Sequence, residues 1–294
     1  MSVTAIGFIG LFALFGLLFL RVPVAMAMLV VGFFGTAAIN GYTAALTALG
    51  TESFEISVTL TLTVIPLFVL MGNLAGVSGM SRDLFNAAYS WVGHWRGGLA
   101  SATIAGCAGF AALSGSSIAS AVTMGRVALP EMKRFKYGDS LATGAVAAGG
   151  TLGILIPPST GLIIYAILTE QSIGRLFMAG IIPGILLTCL FLLAIAIVTK
   201  IKPEIGPVGP ESSFIEKIKS LRRALAMVAI VVATIGGIYM GIFTPVEAAG
   251  VGALLAFCVA LYRKSLDREK MTFVILQTLQ TTATVFMILI GAHV

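Results

Sequence analysis

Charged residues are scarce in this 294-residue sequence: Asp, Glu, Lys and Arg together make up 10%, whereas an ordinary soluble domain has about a quarter. Hydrophobic residues make up 58%, and the mean hydropathy is +1.05. This composition excludes a soluble enzyme, a secreted domain and a disordered chain. The net charge of +6 is too dispersed for a nucleic-acid surface. We therefore predict an all-α polytopic membrane protein.

Several chemistry-bearing patterns are also missing. The three cysteines, Cys107, Cys189 and Cys258, lie in apolar surroundings, which argues against a disulfide framework or a Cys-x-x-Cys metal site. The absence of a GxxxxGK[ST] motif excludes a P-loop ATPase subunit. An intramembrane serine hydrolase would need a base beside its serine. The two histidines, His94 and His293, lie at a predicted cytoplasmic interface and at the end of the sequence, and no lysine lies in a predicted span. A serine hydrolase is therefore only a remote alternative.

Long apolar runs are the main feature of the sequence. A helix rises about 1.5 Å per residue, so a span needs about 20 residues. Eight runs meet this requirement: 4–20, 23–40, 54–76, 138–170, 176–199, 224–243, 245–262 and 271–292. The first run leads through Arg21-Val22-Pro23 directly into the second and has no small-residue cleavage site. We therefore predict that it is a membrane span and not a cleaved signal peptide.

The distribution of positive charge predicts the orientation. When the chain is threaded through these spans, all of the 18 lysines and arginines except Arg126 and Arg175 fall on one side. By the positive-inside rule this side is cytoplasmic. The sequence therefore predicts a multi-pass membrane protein whose N-terminus faces outward.

Residues 98–130 fit no simple span. Two short apolar arms, about 99–113 and 118–130, flank Ser114-Gly115-Ser116-Ser117. A single crossing would place the basic residues at 133–136 outside, whereas a hairpin that enters and leaves on the cytoplasmic side keeps them inside. Non-helical backbone at that depth must be buried in protein or line a polar cavity. We predict a re-entrant hairpin with a functional tip, although small residues can also serve only for close packing.

The span 138–170 contains a second irregular feature, GGTLGILIPPST over residues 149–160. Pro157 and Pro158 lack amide hydrogens and therefore release the carbonyls of Gly153 and Ile154. A simple proline kink is one reading. Adjacent prolines, three glycines and a following Ser-Thr pair favour an unwound, ion-coordinating break, which secondary transporters combine with re-entrant tips.

These features divide the chain into segments and suggest an inverted repeat. Pro23-Val24-Ala25 opens a span running outward, and Pro245-Val246-Glu247 opens one running inward. By this offset, the counterpart of the first hairpin is expected beyond residue 294. We therefore expect either a truncated version of a longer protein, with the second repeat incomplete, or no true repeat. The predicted segments are 1–80, scaffold-type spans; 81–97, an amphipathic interfacial helix or a simple connector; 98–199, a first transport-domain half (hairpin 98–130, broken helix 138–170, span 176–199); 200–223, a cytoplasmic linker; and 224–294, the start of the second repeat.

The motifs, taken together, resemble those of one transporter family. They are RVPVA at residues 21–25, IPLF at 65–68, ALSGSS at 112–117, GGTLGILIPPS at 149–159 and GIFTPVEAAG at 241–250. In this order, over nearly the whole chain, they resemble the large permease subunit of tripartite ATP-independent periplasmic (TRAP) transporters. The resemblance implies a C-terminally truncated version of that subunit, an elevator-type secondary transporter rather than an enzyme. It also implies a bacterial inner membrane, with the N-terminus of the chain in the periplasm.

The resemblance also implies a function and a site. The expected function is Na⁺-coupled import of a carboxylate (a dicarboxylate, a sialic acid or a related acid), with a small membrane subunit and a periplasmic substrate-binding protein as partners. No cofactor is expected apart from Na⁺ as coupling ion, and a non-transporting scaffold subunit is the main alternative. The implied Na⁺ ligands are the side chains of Ser114 and Ser117 with the carbonyls of Gly153, Ile156 and Pro158. The predicted substrate contacts are Ser116, Ser159 and Thr160.

Overall fold

The computed structural model describes residues 2–294, and these residues form a succession of helices. The helices are α1 (Val3–Phe19), α2 (Val24–Asn40), α3 (Tyr42–Val58), α4 (Val64–Val77), α5 (Met80–Val92), α6 (Gly98–Ser114), α7 (Ser117–Arg134), α8 (Asp139–Leu155), α9 (Thr160–Leu168), α10 (Ile173–Ile201), α11 (Phe214–Val231), α12 (Gly237–Tyr239), α13 (Pro245–Tyr262) and α14 (Arg268–His293). Short 3₁₀ segments lie at Leu60–Thr63 and Pro203–Ile205, and a π-helical turn at Val232–Gly236 joins α11 to α12.

The membrane character of the chain is evident in these helices. Within residues 2–294, six segments are long and apolar enough to cross a bilayer: Leu60–Val77, Asp139–Leu168, Ile173–Ile201, Phe214–Tyr239, Pro245–Tyr262 and Arg268–His293. The apolar helices α1 and α2 have 17 residues each, just short of that length. The all-α polytopic class agrees with the prediction, whereas the count of eight spans stays a prediction.

The predicted span 54–76 is wrong in its first part. Residues 54–58 complete α3, which the sequence analysis did not recognise as a separate helix, and Thr59 in an extended conformation ends it. The carbonyl of Glu55 accepts two hydrogen bonds from Thr59, one from its amide at 3.0 Å and one from its hydroxyl at 2.6 Å. Because α3 carries Glu52 and Glu55 among several threonines and serines, it has no apolar run of span length to reveal it.

The chain divides into two compact units. Among the described residues, one comprises 2–66 and 277–294, and the other comprises 67–276. In the first, the hydroxyl of Thr36 donates to the carbonyl of Val294 at 2.9 Å, and His293 lies 3.4 Å from the carboxylate of Glu52. The second unit contains the serine-rich hairpin and the proline break. The domain boundaries predicted from the sequence stay predictions.

The core of the second unit is built from small residues that let helices approach closely. A Cβ added to Gly149 would lie 2.7 Å from the sulfur of Cys107, and one added to Gly72 would lie 2.6 Å from the Cα of Ser114. Larger side chains are buried in this unit as well, including Phe68 and Phe177, whose ring centres are 6.1 Å apart. Glycines thus let α4 and α8 approach α6 closely, as is usual for helices packed in membranes.

Candidate functional site

The hairpin tip consists of two residues between α6 and α7. Helix α6 ends at Ser114, and Gly115 follows in the left-handed conformation with φ +58°, the usual way a glycine ends a helix. Ser116 is extended, and its hydroxyl accepts a hydrogen bond from the amide of Ala119 at 3.4 Å, so that it caps α7. The predicted helix–turn–helix is thus present, and α7 continues through Pro130 as far as Arg134.

The break in the following span lies between α8 and α9. Helix α8 ends at Leu155, and α9 begins at Thr160 after the N-cap Ser159. The fully buried hydroxyl of Ser159 accepts a hydrogen bond from Leu162 at 3.4 Å and donates one to the carbonyl of Ile154. Pro158 cannot give an amide hydrogen to that carbonyl. The serine therefore replaces the hydrogen bond that the proline removes.

The tip packs directly against the break. The carbonyl of Gly115 accepts two hydrogen bonds from Thr160, one from its amide at 3.1 Å and one from its hydroxyl at 2.9 Å. A Cβ added to Gly115 would lie 2.5 Å from the carbonyl oxygen of Pro158, and one added to Gly153 would lie 2.6 Å from that of Ser116. Four helix ends consequently meet at one place: the C-terminal ends of α6 and α8 and the N-terminal ends of α7 and α9.

These helix ends give the site its electrostatic character. The first amides of α7 and α9 are partly positive, and the last carbonyls of α6 and α8 are partly negative. The predicted ligands contribute hydroxyl and carbonyl oxygens and no formal charge. An anion is therefore favoured at the N-terminal ends of α7 and α9, and a hard cation such as Na⁺ at the C-terminal ends of α6 and α8. The carbonyl of Gly153 is one that lacks its helical donor, because residue 157 is proline.

A buried serine that sequence reasoning missed adjoins the tip. The hydroxyl oxygens of Ser114 and Ser120 are 2.8 Å apart, and both side chains are buried. The six-residue separation crosses the Gly115 turn, which folds the first turn of α7 back against the last turn of α6. This pattern could have been found once the turn was placed. The partner of Ser114 is another hydroxyl rather than a base, so the structure supplies no support for the hydrolase alternative.

The predicted ligands do not all converge equally. The amide nitrogen of Ser117 lies 2.8 Å from the position of a Cβ on Gly153, so these two residues are in direct contact. Ile156 instead lies against α10, where a Cβ on Gly184 would be 2.8 Å from its Cγ1. The structure brings together Ser116, Ser117, Gly153, Pro158 and Thr160. Ser114, the last residue of α6, bonds to Ser120 instead; Ile156 contacts α10, and Ser159 bonds to Ile154. Their roles as ligands stay predictions.

A tyrosine holds the opposite end of the hairpin, and sequence reasoning missed it as well. The hydroxyl of Tyr137 donates to the carbonyl of Pro207 at 2.9 Å and accepts from the amide of Leu99 at 3.1 Å. Burial raises the pKa of Tyr137, so the phenol keeps the proton it donates. The segment after α10 is therefore attached to the start of α6.

Backbone hydrogen bonds strengthen this attachment. The amide of Gly97 donates to Gly206 at 3.0 Å, and that of Gly138 donates to Ile205 at 2.9 Å. The linker was predicted over residues 200–223. In the structure its main non-helical part is residues 206–213, because α11 begins at Phe214 behind a capping box formed by Ser213 and Glu216. Residues 203–209 belong to the base of the hairpin rather than to a free connection.

Comparison with known proteins identifies the family. The sequence matches the family model described as tripartite ATP-independent periplasmic transporter, DctM component, over residues 11–294. The chain belongs to the DctM family. This confirms the resemblance noted from the RVPVA, ALSGSS and GGTLGILIPPS motifs, and it places the hairpin and the break within a DctM sequence.

Curated relatives are named as TRAP large permease proteins. The C4-dicarboxylate TRAP transporter large permease protein DctM of Pseudomonas aeruginosa is 44% identical over 215 residues, which cover 73% of this chain and 50% of that protein. The sialic acid protein SiaM of Vibrio cholerae is 37% identical over 235 residues, covering 80% and 55%. The ectoine/5-hydroxyectoine protein UehC of Ruegeria pomeroyi is 36% identical over 229 residues, covering 78% and 53%. The DctM-family chain thus spans about half the length of the curated relatives it matches.

Proposed function

We propose that this chain forms part of the permease subunit of a Na⁺-coupled TRAP system that imports an organic acid. The observation that carries the proposal is the contact between the hairpin tip and the proline break, where Thr160 donates twice to the carbonyl of Gly115. Helix ends paired in this way at a discontinuous span are the arrangement in which secondary transporters bind substrate and ions.

In this proposal Na⁺ binds on the carbonyl side of the contact. The ligands are the side chains of Ser114 and Ser117 with the carbonyls of Gly153, Ile156 and Pro158. Supporting it are the direct contact between Ser117 and Gly153 and the close approach of Gly115 to the Pro158 carbonyl. Because the hydroxyl of Ser114 is hydrogen-bonded to Ser120, Ser114 would bind the ion through the lone pair that this bond leaves free.

The substrate carboxylate is proposed to bind at the amide side, at the N-terminal ends of α7 and α9. The hydroxyl of Ser116 accepts from Ala119 and keeps its own hydrogen to donate to the carboxylate, and Ser159 holds the start of α9 in place through its bond to Ile154. The amide and the hydroxyl of Thr160 both donate to Gly115, so Thr160 would bind the carboxylate by exchanging one of these bonds for it. The relatives are named for C4-dicarboxylate, sialic acid and ectoine transport. All three substrates carry a carboxylate, which is the group that helix N-termini stabilise.

The partners and the transport cycle follow from the same proposal. The permease would work with a small membrane subunit and a periplasmic substrate-binding protein, in the inner membrane with its N-terminus outward, by an elevator-like motion of the hairpin-containing unit. A non-transporting scaffold is the alternative, favoured by the half-length match to the relatives.

Uptake into proteoliposomes separates these alternatives. The chain is reconstituted with a small TRAP membrane subunit, and uptake of a labelled C4-dicarboxylate is followed with and without the substrate-binding protein. Uptake that requires an inward Na⁺ gradient and is lost in Ser117→Ala, but not in Ser140→Ala at the exposed start of α8, supports transport. Correct assembly without Na⁺-dependent uptake would favour the scaffold.

A further inference from the structure

A groove outside the proposed transport site lies beside the base of the hairpin. It has a volume of about 350 Å³ and is formed by α5, the start of α6 and the last turns of α10. The residues that carry the argument are Trp91, Trp95, Arg96, Leu192, Ala196 and Lys200. None of the residues that line it is acidic.

Its residues are arranged by polarity along α10. Leu192, Ala196 and Lys200 are spaced four residues apart and therefore share one face of the helix, with the lysine at its C-terminal end. The hydroxyl oxygen of Thr199 lies 3.4 Å from the carbonyl oxygen of Arg96, so the backbones carrying Arg96 and Lys200 are adjacent. The groove therefore has two cations at one end and aliphatic side chains along its length.

Two tryptophans form its other wall. Trp91 and Trp95 are 47% and 58% exposed, so both rings are accessible to a molecule in the groove. Tryptophan is enriched where membrane hydrocarbon meets the headgroups. The ammonium of Lys217, from α11, lies 5.8 Å from the centre of the Trp91 ring and adds a third cation nearby. This end of the groove is on the side that the charge distribution predicts to be cytoplasmic.

We propose that this groove binds an anionic phospholipid of the cytoplasmic leaflet, with its phosphate between Arg96 and Lys200 and an acyl chain along Leu192 and Ala196. The charge of the groove complements such a headgroup, and basic pockets between helices on this side of a membrane are the usual sites for anionic lipids. The lipid would join α5 to α10 and so stabilise the base of the hairpin.

Trp91 and Trp95 make this directly testable, because they are the only two tryptophans in the chain. Tryptophan fluorescence therefore reports on the groove alone. The protein is reconstituted in phosphatidylcholine containing increasing fractions of acyl-brominated phosphatidylglycerol or, separately, acyl-brominated phosphatidylcholine. We expect half-maximal quenching at about a tenfold lower mole fraction of the brominated phosphatidylglycerol.

Matched variants test whether the groove causes the preference for phosphatidylglycerol. In Arg96→Gln/Lys200→Gln the difference between the two lipids should disappear. In Lys264→Gln/Arg268→Gln, which removes two exposed basic residues elsewhere on the predicted cytoplasmic side, it should persist. The exchange Arg96→Lys/Lys200→Arg should also keep it. Equal quenching by both lipids in the unmodified protein, or a preference that survives in the first variant or is lost in the second, would overturn the proposal. None of these readouts depends on Na⁺ or transport.

Discussion

The hairpin tip and the proline break begin their second helices in nearly the same way. Ser116 has φ −132° and ψ 127°, and Ser159 has φ −121° and ψ 128°. Each accepts a hydrogen bond at 3.4 Å from the amide three residues ahead. The two differ in how the first helix ends: a left-handed glycine at the tip, two prolines at the break.

This difference determines what each serine must do. Gly115 leaves α6 with its usual amide donors, so Ser116 only caps the next helix and remains partly exposed. The prolines remove donors from α8, so Ser159 also satisfies the carbonyl of Ile154 and is fully buried. The serine at the tip thus caps only the helix that follows it, whereas the serine at the break also satisfies a carbonyl of the helix that precedes it.

The largest expected effect comes from breaking the contact between the two regions. Gly115→Ala places a Cβ 2.5 Å from the carbonyl of Pro158 and forces a side chain into φ +58°. We expect a loss of about 3 kcal/mol in the free energy of unfolding, measured by SDS titration in mixed micelles. In the control Gly144→Ala the new Cβ meets no atom within 4 Å, and roughly 0.5–1 kcal/mol should be gained. Equal effects of the two changes would contradict the packing described.

The next effect distinguishes the two serines. Ser159→Ala removes a cap and leaves the buried carbonyl of Ile154 without its donor, so we expect a loss of about 2 kcal/mol. Ser116→Ala removes a cap alone and should cost about 1 kcal/mol. The same SDS titration measures both. A cost for Ser116→Ala equal to or above that of Ser159→Ala would refute the distinction.

The smallest effect concerns the bond that joins the regions. Thr160→Val removes the hydroxyl that donates to Gly115 but keeps the amide bond and the shape, so we expect a loss of about 1 kcal/mol. Thr160→Ser should retain most of the stability. Thr143→Val is the matched control, because the exposed hydroxyl of Thr143 bonds only within its own helix; its effect should stay within about 0.5 kcal/mol. Indistinguishable values for Thr160→Val and Thr143→Val would argue against the link.

Local chemistry explains which parts of the fold could be predicted. The turn at Gly115 and the break after Leu155 depend on glycine, serine and proline, whose conformational effects act within a few residues. The helix α3 was not predicted, because its glutamates, serines and threonines interrupt the apolar runs from which the spans were predicted. A helix of this composition has no pattern that separates it from a polar connection.

Contacts between distant residues could not be predicted in the same way. The bonds of Tyr137 to Leu99 and Pro207 join residues far apart in the sequence, and neither partner offers more than a backbone group. No sequence pattern predicts the two hydrogen bonds from Thr160 to the carbonyl of Gly115 either. The sequence indicated that the tip and the break belong to one site, but the atoms that join them depend on the packing of α6, α7 and α8.

Binding of Na⁺ at this contact is the central claim, and it can be measured without transport. The free energy of unfolding is compared in NaCl and in choline chloride of equal ionic strength. We predict that Na⁺ stabilises the protein by about 1 kcal/mol when its concentration is about fivefold above the Kd. This increment should vanish in Ser117→Ala and persist in Ser140→Ala. An unmodified protein equally stable in both salts, or a Ser117→Ala variant that keeps the full increment, would contradict the account.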